Sequence, residues 1–183
     1  MREKLKIRSI FYILLAGTFL LLFCFYPGQD LISARRDGFP AENTEYIDPS
    51  PVALSEDLTS NSELKASAKT AFDIVNAKRQ EAGLSALSWN SGLEQASAVR
   101  AVEASESFSH TRPNGSDWWT VNSNLMYGEN LAKGYATAGS AVDAWLASPT
   151  HKANIMDAEF TSGAIAIHIG SNGQWFWAQE FGY

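Results

Sequence analysis

Residues 9–26, SIFYILLAGTFLLLFCFY, form an uncharged run of 18 residues with no polar face. As a helix, 18 residues rise about 27 Å, close to the roughly 30 Å hydrocarbon thickness of a bilayer. Arg2, Lys4, Lys6 and Arg8 precede the run, and Pro27-Gly28 closes it. Positive charge before a span favours a cytoplasmic N-terminus and an exported remainder. An amphipathic core helix is disfavoured, because the run is apolar on every side. The sequence therefore predicts a transmembrane anchor or signal segment over 1–26. Cleavage signals are poor: bulky Phe23 precedes Cys24, and Ile32-Ser33-Ala34 only loosely imitates a small-residue site. An uncleaved anchor is favoured, with the C-terminal part extracellular. If the segment is cleaved, the protein is secreted.

Charge and cysteine content remove several classes. The chain carries a formal charge of -6, which argues against nucleic acid as a partner, since phosphate backbones draw basic faces. A single cysteine forms no internal disulfide, and with three histidines it excludes a Cys-rich structural zinc site. Residues 27–61 hold four prolines and seven acidic residues against Arg35 and Arg36, with no sustained apolar periodicity. Such a stretch buries too little surface to offset its ordering entropy, so it reads as an acidic flexible linker. Residues 62–183 contain all six tryptophans and all three histidines, and form the domain.

Within the domain, Ser60 and Glu63 have capping-box spacing, Leu64, Ala68, Ala71 and Val75 form one apolar stripe, and Gly83 stops the helix. Leu84 to Trp89 is extended. Asn90 or Ser91 caps a second helix, with Leu93, Ala96, Val99 and Val102 inward and Arg100, Glu103 and Glu106 outward. Residues 107–124 are irregular, the mark of a functional or mobile loop. A third helix runs from about Thr137 to Ala147 and stops at Pro149, and a further turn over 151–156 sets His151 and Ile155 on one side. Alternating residues 163–169 and 174–181, joined by Gly170-Ser171-Asn172-Gly173, form a hairpin. Helices followed by strands predict an α+β domain.

The candidate chemistry rests on His110, Glu129 and His151, which lie in three separate irregular segments. Two imidazoles and a carboxylate make the donor set of an open zinc site, if the fold brings them together. Taken singly, each residue is as well explained by a hydrogen-bonded loop or a cap, and His168 by a structural or exposed strand position. Nucleophilic catalysis has little support. No Gly-x-Ser-x-Gly elbow occurs, Cys24 lies in the apolar run, and Ser109 is adjacent to His110 rather than facing it.

In order along the chain, Phe108-Ser109-His110, Tyr127-Gly128-Glu129-Asn130-Leu131-Ala132, Ala141-Val142-Asp143-Ala144-Trp145, Ser148 to Met156 and Phe160-Thr161 lead into the aromatic hairpin. With Asn76-x-x-Arg79 and Leu87-x-Trp89-Asn90 upstream, this pattern resembles the bacterial branch of the CAP superfamily of SCP-like extracellular proteins, over about 66–183. The resemblance implies an α-β-α sandwich with a central antiparallel sheet and a cleft. In many eukaryotic members that cleft holds two histidines and two acids able to bind a divalent metal. His110 matches the first histidine and Glu129 the first acid. Ser148 stands where those members carry the second acid and Glu159 where they carry the second histidine, whereas His151 belongs to the bacterial pattern.

The functional expectation is an extracellular, membrane-tethered, noncatalytic binding module. Its cleft, lined by His110, Glu129 and His151, takes a divalent metal such as zinc, or an unidentified small ligand, lipid or envelope component. The alternative is a metal-assisted hydrolase of peptide or cell-wall substrate with Glu129 as general base. A third role is structural, with the aromatic hairpin as a docking surface.

Overall fold

The computed structural model describes residues 28–36 and 62–183. The apolar run 9–26 lies outside the described residues, and no helix among the described residues is long and apolar enough to cross a membrane. The fold is α+β, built on a five-stranded sheet. In chain order the elements are β1 (Asp30–Arg35), α1 (Ser62–Glu81), β2 (Ser88–Trp89), α2 (Ser91–Glu106), a 3₁₀ turn (Trp118–Val121), β3 (Gly128–Lys133), α3 (Ala138–Ala147), α4 (Pro149–Ile155), β4 (Ser162–Ile169) and β5 (Trp175–Gly182).

Local sequence explains most of the boundaries. Asn90 caps α2, its Oδ1 accepting from the Gly92 and Leu93 amides at 2.8 and 3.1 Å. Thr137 caps α3 through the Ser140 amide, and Pro149 opens α4, where its missing N–H costs nothing. Gly83 leaves α1 at φ +79, a conformation that glycine adopts without strain, and the Leu84 amide reaches back to the Arg79 carbonyl at 2.9 Å.

Strand order is β1-β3-β5-β4-β2, antiparallel throughout except where the two-residue β2 pairs parallel with β4. The β4–β5 hairpin pairs Ser162 with Gly182 through Ile169 with Trp175. Successive strand residues face opposite sides, and helices cover both. Ile165, Ile167, Trp177, Phe181 and Ala132 pack with α1, α3 and α4. Leu131, Phe176 and Ala178 pack with Ala101 and Ala104 of α2, and Ala164 with Leu93 and Ala96.

One boundary differs from the sequence reading. Six residues of the stretch read as a flexible linker, Asp30–Arg35, form an edge strand that pairs along the whole of β3, from Asp30–Lys133 to Arg35–Gly128. Three apolar residues in six carry no readable period. The ladder that orders them is supplied by β3, far along the chain, and leaves no trace in their local composition. Residues 37–61 lie outside the described residues.

Arg79 closes the base of the domain. Buried at 1% exposure, its guanidinium donates to four backbone carbonyls: Ser85 (2.9 Å), Ile155 (2.7 Å), Asp157 (2.7 Å) and Phe160 (3.1 Å). It ties the end of α1 to the end of α4 and the approach to β4. Burial lowers its pKa, but from a starting point high enough to leave it charged. Arg79→Met fills much of the volume and orphans these carbonyls, so urea unfolding should show a loss of at least about 3 kcal/mol. Arg79→Lys should restore little of it, because an ammonium lacks the planar fork. Full recovery by lysine would overturn this account.

Candidate functional site

The site is built around Glu129, fully buried in β3 and facing α2. The residue before it, Gly128, lets β3 pass Phe160: a Cβ there would lie 2.9 Å from the ring. From the middle of α2, Arg100 grips the carboxylate from two sides, Nε to Oε2 at 2.7 Å and Nη2 to Oε1 at 3.2 Å. His110 Nδ1 meets Oε1 at 2.6 Å. An ionised carboxylate only accepts, so Nδ1 carries the proton and the other ring nitrogen, Nε2, is turned away from Glu129.

The ion pairing extends beyond these three. Arg100 Nη1 reaches Glu103 Oε2 at 2.6 Å, and Arg112 Nε reaches Glu103 Oε1 at 2.9 Å. Arg100 Nη2 also takes the Ser109 carbonyl at 2.7 Å, which anchors the loop bearing His110. Arg112 continues to Thr120 Oγ1 at 3.1 Å, and the Arg112 amide bonds the Ser116 carbonyl at 2.8 Å. The irregular stretch after α2 is thus pinned to a buried chain of alternating charge.

That chain corrects the helix reading. Arg100 and Glu103, assigned to the solvent side of α2, are buried at 0% and 7% exposure, and only Glu106 of that trio is exposed. Their spacing already placed them on the inward stripe: 93, 96, 100 and 103 recur at three- and four-residue steps. Charge type outweighed position in the assignment.

Arg112, Glu103, Arg100 and Glu129 balance two positive charges against two negative. Glu180, opposite Glu129 in the β3–β5 ladder, is the surplus carboxyl. It is fully buried and meets no donor, but its side chain lies within hydrogen-bond reach of the Glu129 carboxylate, a bond that forms only when Glu180 is protonated and donates. Burial first, then the neighbouring Glu129 charge, push its pKa well above the ordinary carboxylate range against the opposing pull of Arg100. Glu129 goes the other way. Burial alone would raise it, but the His110 hydrogen bond and the Arg100 guanidinium outweigh burial and hold it low. Arg100 is itself shifted upward, its burial outweighed by Glu129 and Glu103. Sequence reasoning missed Glu180 because its strand is covered on both faces, so alternation does not separate inside from outside.

His151 reaches the site from the opposite face of the sheet. Its helix α4 packs on the side to which Asn130 points, and Asn130 Nδ2 donates to the His151 carbonyl at 3.2 Å. Asn154, also in α4, donates to Asn130 Oδ1 at 3.0 Å and to the Glu129 carbonyl at 3.3 Å. The imidazole is 3% exposed as a residue, with Nδ1 against Ser148 Oγ at 2.7 Å. Burial lowers its pKa, the Ile32 backbone opposes this, and the charge of nearby His110 adds to the lowering. Ser148, where eukaryotic relatives carry an acid, therefore orients the ring. Glu159, where they carry a histidine, makes an exposed ion pair with Arg35 at 2.9 Å.

His110 and Glu129 are in direct contact, whereas no hydrogen bond joins His151 to either among the described residues. Each ring nonetheless has a buried Nε2 that makes no well-formed hydrogen bond, although the Ile32 backbone lies close to the His151 ring. Both Glu129 oxygens are already engaged, and among the described residues no group of three or more His, Cys, Asp or Glu is placed to hold a metal ion. What these side chains offer is two imidazole nitrogens, one of them oriented by a carboxylate.

The family described as CAP, the Cysteine-rich secretory protein family, matches residues 72–181. The uncharacterized protein YkwD of Bacillus subtilis (strain 168) is 30% identical over 149 residues, covering 76% of this chain and 56% of that protein. The chain thus spans little more than half the length of this relative. An outer surface protein from Borrelia burgdorferi superposes with a TM-score of 0.58 at 21% identity, over 64% of this chain and 92% of its own. An extracellular protein containing a SCP domain from Bacillus anthracis gives 0.61 at 20% identity, over 70% of this chain and 44% of its own. Both share the fold.

The raised pKa of Glu180 carries a stability signature. A carboxyl whose folded pKa lies above its unfolded value near 4.3 holds a proton that the unfolded chain gives up. Its contribution therefore falls as pH rises above the unfolded value, until the folded pKa is reached. Glu180→Gln mimics the protonated form at every pH. Its stability relative to wild type should climb above about pH 5 by roughly 1 kcal/mol per pH unit until the folded pKa is reached, read from urea melts over a pH series. A pH-independent difference would show that Glu180 is ionised.

Proposed function

The chain belongs to the CAP, or cysteine-rich secretory protein, family, and from that premise we propose that it is an exported, noncatalytic binding module. Its ligand-receiving residues are His110 and His151, with Glu129 as the group that orients His110. The observation carrying this reading is the pair of buried Nε2 atoms that make no well-formed hydrogen bond. Buried polar atoms without partners are rare in folded proteins, and they mark places where something else completes the bonding. An extracellular location is supported by the basic residues and apolar run at the N-terminus, and by fold relatives that are surface or extracellular proteins. Tethering through 9–26 is part of the proposal.

The ligand is a small envelope component or a divalent ion that comes to the two imidazoles. The hydrolase alternative requires Glu129 to accept a proton. A carboxylate held low by Arg100 and His110 is a weak base, which favours binding over turnover. Turnover of a peptide or cell-wall substrate that is lost both on chelation and in Glu129→Ala would reverse that preference.

Calorimetric titration of zinc into wild type and His110→Ala tests the metal half. We expect the variant to lose at least about tenfold in affinity, the weight of one imidazole ligand. Equal affinities, or no binding to either protein, would remove the ion and leave an organic ligand.

A further inference from the structure

Strand β1 is held as a bound peptide would be. It comes from a segment remote in sequence from its partner, adds to one edge of the sheet through β3, and none of its six residues is fully buried. Leu31 leans into the core under α1, α3 and α4, and Ile32 into the core under α2, so alternate side chains enter alternate pockets. The Ala34 carbonyl accepts from Asn154 Nδ2 at 3.0 Å, beside the Glu129 carbonyl that the same amide also contacts. Ala34 is the register partner of Glu129, and Ile32 is the backbone that bears on the His151 ring. The strand thus runs beside Glu129 and bears on the His151 ring.

Its fastenings are concentrated at the two ends. At the first, Asp30 pairs with Lys133 at 2.7 Å, and Gln174 Nε2 donates to the Gly28 carbonyl at 2.7 Å. At the second, Arg35 pairs with Asp157 and Glu159, and its guanidinium lies 5.0 Å from the centre of the Phe160 ring. Arg36 donates to the Ser123 carbonyl at 2.8 Å, and lies 4.5 Å from the centre of Trp119 and 5.0 Å from that of Tyr127. With β1 in place, its neighbour β3 is buried along Gly128–Ala132, whereas β1 itself is only half-buried and is clasped by surface groups.

We propose that the β3 edge, with Asn154, Lys133 at one end and the arginine-binding groups at the other, is a binding groove for an extended polypeptide, and that residues 30–35 are its resident occupant in cis. Recognition is by strand addition: the backbone ladder supplies affinity and the alternating pockets supply selectivity. The groove takes two apolar residues, two small ones over Glu129 and Asn130, and then two basic residues. An incoming polypeptide of this pattern competes with β1 for the edge. This deepens the binding-module reading, on which it rests for the meaning of the histidines but not for the groove itself.

The test uses the full chain and a fluorescent peptide of residues 28–36, read by anisotropy. Arg35→Ala with Arg36→Ala weakens the resident strand at its exposed clasp and leaves the core untouched, while the peptide keeps both arginines. This variant should bind the peptide roughly tenfold tighter than wild type. Leu31→Cys with Ala132→Cys, in a Cys24→Ser background, joins facing residues of the two strands. Oxidised, it should bind no peptide, and reduction should restore wild-type binding. A folded clasp variant that binds no better than wild type overturns the proposal, as does peptide binding by the oxidised form equal to that of the clasp variant. Should the disulfide fail to form, the clasp variant alone decides. Loss of zinc binding with peptide binding intact would count against the metal and not the groove; the reverse would sink the groove alone.

Discussion

Arg100 sits fully buried in α2 with three carboxylates nearby, and the region around the site depends on how that charge is compensated. Removing a guanidinium and carboxylates from water costs several kcal/mol per ion. The cost is recovered here because every donor aimed inward has a partner: Glu129 through two bonds, Glu103 through one, and the Ser109 carbonyl through another. The same contacts define the site. Glu129 is positioned by Arg100, His110 is oriented by Glu129, and the loop carrying His110 is tied down by the hydrogen bond to Ser109. A hydrophobic replacement could supply comparable stability but would not hold an imidazole in one orientation.

Charge balance then decides the roles of the two neighbouring glutamates. Arg100 and His110 serve Glu129, and no cation is left for Glu180, whose carboxyl sits opposite on β5. One acid is held ionised and the other is driven toward the neutral form, although both are equally buried. A glutamate committed in this way is well suited to fixing a ring and poorly suited to accepting protons. In the binding role proposed for the site, Glu129 orients His110 and does not exchange protons.

The site also depends on chain that lies outside the family match. Residues 30–35 complete the sheet beside β3, although the family match begins at residue 72. Asn154 joins the two, bonding Ala34, Asn130 and the backbone of Glu129 from α4. Through this one amide the helix that carries His151 is linked to the strand that carries Glu129 and to the edge strand that covers both.

The elements whose stabilisation is local were legible in the sequence alone. The α2 cap, read as Asn90 or Ser91 and made by Asn90, the stop at Gly83, the Pro149 break and the hairpin around Asn172-Gly173 all act within a few residues, and each stands where its local chemistry indicates. Pairing His110 with Glu129 required the ordered motifs, and a hydrogen bond joins them. Tertiary structure alone decided what depends on partners distant in sequence: that Asp30–Arg35 is a strand, which counter-charges meet Arg100 and Glu103 on the inward stripe, that Glu180 is a buried acid with no ion pair of its own, and that His151 approaches from the other face. A charged residue on an apolar stripe looks exposed until its counter-charge is known, and an edge strand looks like linker until its neighbour is known. Both are decided by long-range pairing, which leaves no periodic trace in the segment that it orders.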